Sequence, residues 1–282
     1  MCEFCHQHGE GKKWYLQAKN YSEDMLSDIK RQKFLKEFLS APDKLAEAIQ
    51  KMEDLEKAPA IVRRVLTWRI TNKMKKFHYG QVVPIEEIEQ IFGFVTSISR
   101  FACICRKATI GSEQRYCYGV SMGPNGGKML QLIGEIDASY LNGPNATGVE
   151  SVTREETLAK FREYEKEGLC HTVWTFITPF IFGICNCDRS DCLAMRMAVT
   201  HRIPVMFRAE YVASSDLDLC MGCRECMRVC QFGAIGFSAA QEKIMIDPRR
   251  CYGCGVCRAV CVHDAISLKD RTSIPLITKL WQ

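Results

Sequence analysis

Two runs decide the fold of the C-terminal part: Cys220-Met221-Gly222-Cys223-Arg224-Glu225-Cys226-Met227-Arg228-Val229-Cys230 and Cys251-Tyr252-Gly253-Cys254-Gly255-Val256-Cys257-Arg258-Ala259-Val260-Cys261. Each reads C-x-x-C-x-x-C-x-x-x-C. Every cysteine of the first run recurs 31 positions later in the second, and Ala234-Ile235 returns as Ala265-Ile266 at the same offset. Four cysteines and an apolar pair at one offset mark a duplicated unit.

The spacing has a chemical reading. Three cysteines two residues apart bring three thiolates from one tight loop to three corners of a 4Fe–4S cubane, and Gly222, Gly253 and Gly255 let the backbone curl close to the sulfurs. Zinc is the rival, since C-x-x-C pairs also build tetrahedral zinc sites. Zinc, however, calls for neither the third C-x-x-C step nor the repeat. Two 4Fe–4S clusters are therefore expected.

The module resembles the two-cluster bacterial ferredoxins, in which the fourth cysteine of each run ligates the other cluster. That resemblance implies Cys220, Cys223, Cys226 and Cys261 on one cluster and Cys251, Cys254, Cys257 and Cys230 on the other. Two features depart from it. Gln231 and Val262 stand where proline usually follows the fourth cysteine, which bears on the turn and not on the ligands. From Asp216 to Asp270 seven acids balance seven bases, with Arg224, Arg228, Arg249, Arg250 and Arg258 near the ligands, so the acidic surface of many free ferredoxins is missing. Positive charge close to a cluster favours its reduced state.

The whole chain has 282 residues, 47% hydrophobic and 25% charged, which suits one large or two smaller globular domains. The net charge of +5 is mild, and without a basic arm or RNA-binding signature no nucleic-acid partner is expected. Seventeen cysteines is the anomaly. The start, Met1-Cys2-Glu3-Phe4-Cys5-His6, has no basic then apolar pattern of an export signal, so reduced, metal-binding thiols in the cytoplasm are expected. Leu169 to Cys187 contains no charge, but His171, three threonines and Pro179 favour a buried strand leading to a metal site over a membrane span.

Nine cysteines lie outside the repeat: Cys2, Cys5, Cys103, Cys105, Cys117, Cys170, Cys185, Cys187 and Cys192. Six fall in two groups, Cys103-Ile104-Cys105-Arg106 with Cys117, and Cys185-Asn186-Cys187 with Cys192. Each group follows an apolar stretch, so thiols from separate segments are expected to converge on a third site, for an iron–sulfur cluster or zinc. Buried reduced cysteines are the alternative, because cysteine packs well as a small hydrophobe. Cys2-Glu3-Phe4-Cys5-His6 has the form of a c-type haem attachment, which the cytoplasmic expectation disfavours; a ligand pair with His6 or His8, or an idle tail, are the other readings.

The order of these features is similar to that of the 4Fe–4S dicluster-domain ferredoxin-type proteins of anaerobes. Shared are an Ile-Cys-x-Cys-Arg-like segment (Cys103-Ile104-Cys105-Arg106), a later cysteine (Cys117), Glu167-Gly168-Leu169-Cys170-His171, Ile184-Cys185-Asn186-Cys187 and the dicluster module, over roughly residues 85–268. That family implies electron transfer and no single transferable reaction.

The remaining signals are weaker. Ile61 to Phe77 carries Arg63, Arg64, Arg69, Lys73, Lys75 and Lys76 with no acid, either a docking face for an acidic partner or membrane, or a solvated helix. The loops Gly123-Pro124-Asn125-Gly126-Gly127 and Asn142-Gly143-Pro144-Asn145 have phosphate-cradle composition without a nucleotide fingerprint. No hydrolytic or transfer grouping stands out, and no catalytic residue is assigned. Helices are expected from Ser22, Pro42, Ala60, Pro84 and the Thr153 capping box, with a strand from Leu169. The resulting expectation is an α+β chain: a mostly helical region over 1–210 with an additional metal site, a dicluster ferredoxin domain over 211–270 and a C-terminal tail over 271–282. It is expected to pass single electrons from a low-potential donor to a partner oxidoreductase, as a carrier or subunit. An upstream domain binding flavin or substrate, and a cluster-based redox sensor, are the alternatives.

Overall fold

The computed structural model describes residues 12–142 and 148–281. Cys2, Cys5, His6 and His8 and most of the 142–148 loop lie outside the described residues.

The upstream region is organised by a sheet. Its strands are β1 (Gly80–Val82), β2 (Ser97–Phe101), β3 (Cys117–Ser121), β4 (Glu150–Val152), β5 (Cys170–Thr175), β6 (Ile181–Cys187) and β7 (Met206–Phe207), in the order β4-β2-β3-β6-β5-β1-β7. All neighbours are antiparallel except β1 and β7. The expectation of a mostly helical region is thus refined: helices are numerous, but they pack on both faces of this sheet, a layered α+β arrangement. The uncharged 169–187 stretch is not one strand. It turns at Ile177, whose φ is 52°, and at the cis Thr178–Pro179 bond, giving the hairpin-like pair β5 and β6.

Strand side chains alternate between faces, and here both faces are buried. Tyr118, Val120, Val173 and Ile184 point to one side, where they meet Trp14, Tyr15, Ile88 and Phe161. That side is covered by the helices Ile85–Phe94 and Arg154–Glu167. The second helix starts on the expected capping box, Thr153 with Glu156, and stops at Gly168 with φ 96°. Cys117, Cys170, Trp174 and Cys187 belong to the core on the opposite side. Across this side Phe101 pairs with Cys117, Cys117 with Cys185, Thr172 with Cys185 and Cys170 with Cys187. The register therefore lays cysteines in a row across three strands.

Helices Ile29–Leu39 and Pro42–Lys57 close over the cysteine side, contributing Leu35, Leu39, Met52 and Leu55 to its core. Ser22 caps only a 3-10 turn, and Asp28 caps the helix proper. The segment 129–140 forms the helix Gly127–Gly134 and the start of a 3-10 turn. The loop with phosphate-cradle composition is filled by the protein itself: Glu23 Oε1 accepts hydrogen bonds from Lys128 N at 2.9 Å and Ser121 Oγ at 2.8 Å.

Residues 211–270 form a second, smaller body of β8 (Tyr211–Ser215), β9 (Ile235–Ser238), β10 (Lys243–Ile246) and β11 (Ile266–Asp270), with short helices Glu225–Val229 and Val256–Ala259. The 31-residue offset reappears as geometry, since β8, the first helix and β9 superpose in number on β10, the second helix and β11. The copies exchange partners: β8 pairs with β11 and β9 with β10, both antiparallel. Residues 271–281 pack back onto the chain. Trp281 joins Tyr79 and Phe207 in a small core, and Arg271, fully buried, donates to the carbonyls of Ala209, Tyr211 and Cys251.

Candidate metal centres

The two repeat loops are held by the same devices at equivalent positions. Gly222 and Gly253 have φ of 66° and 71°. A Cβ there would lie 2.2 Å from Glu242 O and 2.0 Å from Tyr211 O, so only glycine fits both the turn and the close approach. Gly255 (φ 85°) precedes one helix and Arg224 (φ 67°) the other. Backbone N–H groups point at sulfur, as the spacing implied: Ala213 and Gly253 each donate to Cys251 Sγ at 3.4 Å, and Ala234 to Cys230 Sγ at 3.3 Å.

The thiols fall into two neighbourhoods. Burial pushes Cys226 up to about 11, and the next contributors are Cys223, Cys261 and Cys220. Cys254 and Cys257 are pushed up by burial and then by thiols that include Cys251 and Cys230. Cys230 and Cys261 thus each face the other copy's loop. A small cavity of about 20 Å³ is lined by Cys230, Cys251, Cys254 and Cys257 together with Phe232 and Tyr252. Crowded thiols of this kind resist ionisation alone and ionise when a metal takes their protons' place. Cys223 is exposed, whereas its counterpart Cys254 is half-buried; Cys220, Cys226, Cys251 and Cys257 are all buried. One neighbourhood therefore lies nearer the surface than the other.

The upstream cysteines converge as well. Cys103 Sγ is 3.0 Å from Cys117 Sγ, Cys117 Sγ is 3.4 Å from Cys185 Sγ, and Cys192 Sγ is 3.3 Å from Cys187 Sγ. Cys105 joins them through a contact with Cys192. All six line one hollow of about 60 Å³, whose other walls include Phe38, His78, Phe101, Trp174, Phe176 and Phe182. Contacts with Cys105 and Cys187 hold Cys192 well below the usual thiol range, while burial pushes Cys103 up.

Arg106 fastens the two cysteine segments together. Its guanidinium, 4% exposed, pairs with Asp188 and with Asp191 at 3.1 Å, both of which lie between Cys187 and Cys192. Asn186 adds a second tie, donating to Tyr116 O at 3.1 Å while its Oδ1 meets His171 Nδ1 at 2.6 Å. Among the described residues no three His, Cys, Asp or Glu converge on one point as ligands of a single ion do. In both places the thiols ring a hollow.

Cys170, outside either expected group, lies between the two places. Burial pushes its thiol up, followed by Cys254 of the module and Cys192 of the upstream group. Its Sγ is 3.9 Å from Met195 Sδ. Cys254, Cys230, Val229 and Phe232 pack with Cys170 and Cys187 in one continuous core.

His78 was also missed from sequence, because nothing near it forms a motif. It lies between the helix Ala60–Phe77 and β1, stacked on Trp174 with centroids 4.9 Å apart. Its Nδ1 donates to Thr175 O at 2.8 Å, and burial holds it down to about 4, so the ring is neutral. His171 and His201 lie elsewhere, and His263 is exposed beyond Cys261.

Gln231, the residue in the usual proline place, joins the two bodies. Its amide donates to Gly168 O at 2.7 Å and its carbonyl accepts from Arg189 N at 2.9 Å. Phe232 stacks on Tyr252 at 4.1 Å, with Arg208 on that ring at 4.2 Å, and Arg258 pairs with Glu86.

A family model described as the 4Fe–4S dicluster domain matches residues 219–265, the duplicated segment alone. The C-terminal module is therefore a ferredoxin-type 4Fe–4S domain. No curated protein matches the chain. Among the described residues no helix is long and apolar enough to cross a membrane.

Proposed function

We propose that the chain is a three-centre iron–sulfur relay that takes single electrons from a low-potential donor and delivers them to a partner oxidoreductase. In the module one 4Fe–4S cluster takes Cys220, Cys223, Cys226 and Cys261, and the other takes Cys251, Cys254, Cys257 and Cys230. The crossed thiol neighbourhoods support this assignment. When bound, such clusters supply reversible one-electron chemistry. The protein holds the thiols, directs N–H groups at them and excludes water.

The observation that carries the reading is the single hollow lined by Cys103, Cys105, Cys117, Cys185, Cys187 and Cys192 and joined by packed core to Cys254 and Cys230. Four of those thiols hold a third cluster, with Cys170 and Met195 between it and the module. The soft donors and the ringed hollow favour a polynuclear centre over zinc. A cluster held by Cys220, Cys223, Cys226 and Cys261 would lie closest to the surface, at exposed Cys223, where a donor could reach it.

A second reading has its own observation. The hollow is walled by Phe38, Phe101, Trp174, Phe176 and Phe182, more aromatic surface than a purely electron-storing site requires. On this reading a small apolar substrate is reduced beside the third centre.

Stepwise anaerobic reduction followed by EPR tests the relay. Signals of three magnetically interacting clusters are expected, and the third is lost in Cys187→Ala while the other two remain. Isolated signals from two clusters, unchanged by Cys187→Ala, would remove the third centre and the inward path. Substrate-dependent reoxidation of the chain by itself would favour the enzyme reading.

A further inference from the structure

Away from the thiols, one face of the helix Ala60–Phe77 looks across a groove at the loop 200–204. Arg63, Arg64, Thr67, Trp68, Thr71 and Lys75 line it at helical spacing, so a single face of the helix forms one wall. The other wall follows the helical turn Leu193–Met195 and a π-helical turn, Arg196–Thr200. Arg202 then adopts a φ of 55°, and with His201 it borders the same groove. Both π turns and left-handed non-glycine residues are enriched where a side chain has a task.

Two buried polar atoms at this groove have no partner. Thr71 is 7% exposed and its Oγ1 is unpaired. The His201 side chain is 5% exposed; its Nδ1 is 2.8 Å from Glu56 Oε1, and its Nε2 is unpaired. Leaving buried hydrogen-bonding atoms unmatched is costly, and a ligand that supplies oxygen acceptors and donors removes that cost. The surroundings specify the ligand's charge. Arg63, Arg64 and Arg202 stand at the groove, and the lining carboxylate, Glu56, already faces His201. Guanidinium forks match phosphate oxygens. Trp68, 65% exposed, adds a flat apolar face.

We propose that this groove binds a phosphate-bearing small molecule with a planar ring, of which a nucleotide is the simplest example. Arg64, Arg202 and the Thr71 hydroxyl take the phosphate oxygens, and Trp68 stacks on the ring. Thr71 and His201 are recessed, which suits a small molecule better than a bilayer surface. The site stands independently of the clusters and gives the chain a second ligand.

Calorimetric titration of the anaerobic protein with inorganic pyrophosphate and with ADP tests this. Saturable binding of both is expected, with ADP about tenfold tighter. Trp68→Ala should erase the ADP advantage. Arg64→Ala with Arg202→Ala should weaken both ligands at least about tenfold, and Thr71→Val should weaken both with an unchanged circular dichroism spectrum and cluster absorbance. Absence of saturation by either ligand at millimolar concentration overturns the proposal, as does binding that survives the double substitution. Attachment to phosphatidylglycerol vesicles with no ADP binding also overturns it, in favour of a membrane-facing helix.

Discussion

Arg106 reaches from the segment holding Cys103 and Cys105 to the two carboxylates beside Cys187 and Cys192, and Tyr116 lies under its guanidinium with the centroid 4.3 Å away. Its charge is buried but compensated, so removing it strands Asp188. Arg106→Met is expected to lower unfolding free energy by about 3–5 kcal/mol in denaturant titration, the cost of breaking a buried pair. The crossed ligands allow a second test at this scale. Cys230→Ala should abolish the EPR signal of the cluster on Cys251, Cys254 and Cys257 and spare that on Cys220, Cys223 and Cys226. Cys261→Ala should do the reverse. Loss of the signal belonging to each residue's own loop would contradict the crossing.

At the scale of elements, Glu165 sits near the end of the helix Arg154–Glu167, against β5. Burial pushes its carboxyl up to about 7 and holds His171, 3.8 Å away, down to about 4, so between those pH values the two meet as neutral groups. In the unfolded chain the carboxyl ionises near its ordinary value of 4.5. Its contribution is therefore fully present below about pH 4.5 and lost as pH rises through about 7. The histidine works oppositely: its contribution is present above about 6.5 and lost as pH falls through about 4. Glu165→Gln should flatten the decline in stability between about pH 5 and 7.5 by an amount on the order of 1–3 kcal/mol, read from denaturant midpoints at several pH values.

The same elements show what the sequence could disclose. The Thr153 capping box and Gly168 stop are local chemistry, and both helix ends were legible. The module was legible because its ligands are local and repeated. β5 and β6 were merged because both faces of the sheet are buried, so neither strand shows alternation of apolar and polar residues. The two cysteine groups were recognisable, but their meeting depends on β3 pairing with β6 across more than sixty residues, and no local pattern encodes that. His78 gave no signal and Cys170 fell in neither cysteine group, since the neighbours that matter to each come from distant strands.

At the scale of the whole molecule, the proposed relay requires the seam between module and sheet to bring its centres together. Gln231 joins Gly168 to Arg189 across that seam, where proline would supply no donor. Gln231→Pro is expected to retain full iron content while lowering the thermal midpoint by about 2–4 °C, as the loss of roughly 1 kcal/mol does in a chain of this size. Slower reduction of the third centre by flash photoreduction should accompany it. Unaltered kinetics would mean that the seam does not set the electron path.

The account stands most directly on the metal content of the anaerobically purified chain. Iron and acid-labile sulfide at about twelve each per chain, with negligible zinc, is the expected result for three four-iron clusters. About eight of each would confine the clusters to the duplicated module, and stoichiometric zinc with little sulfide would contradict the relay altogether.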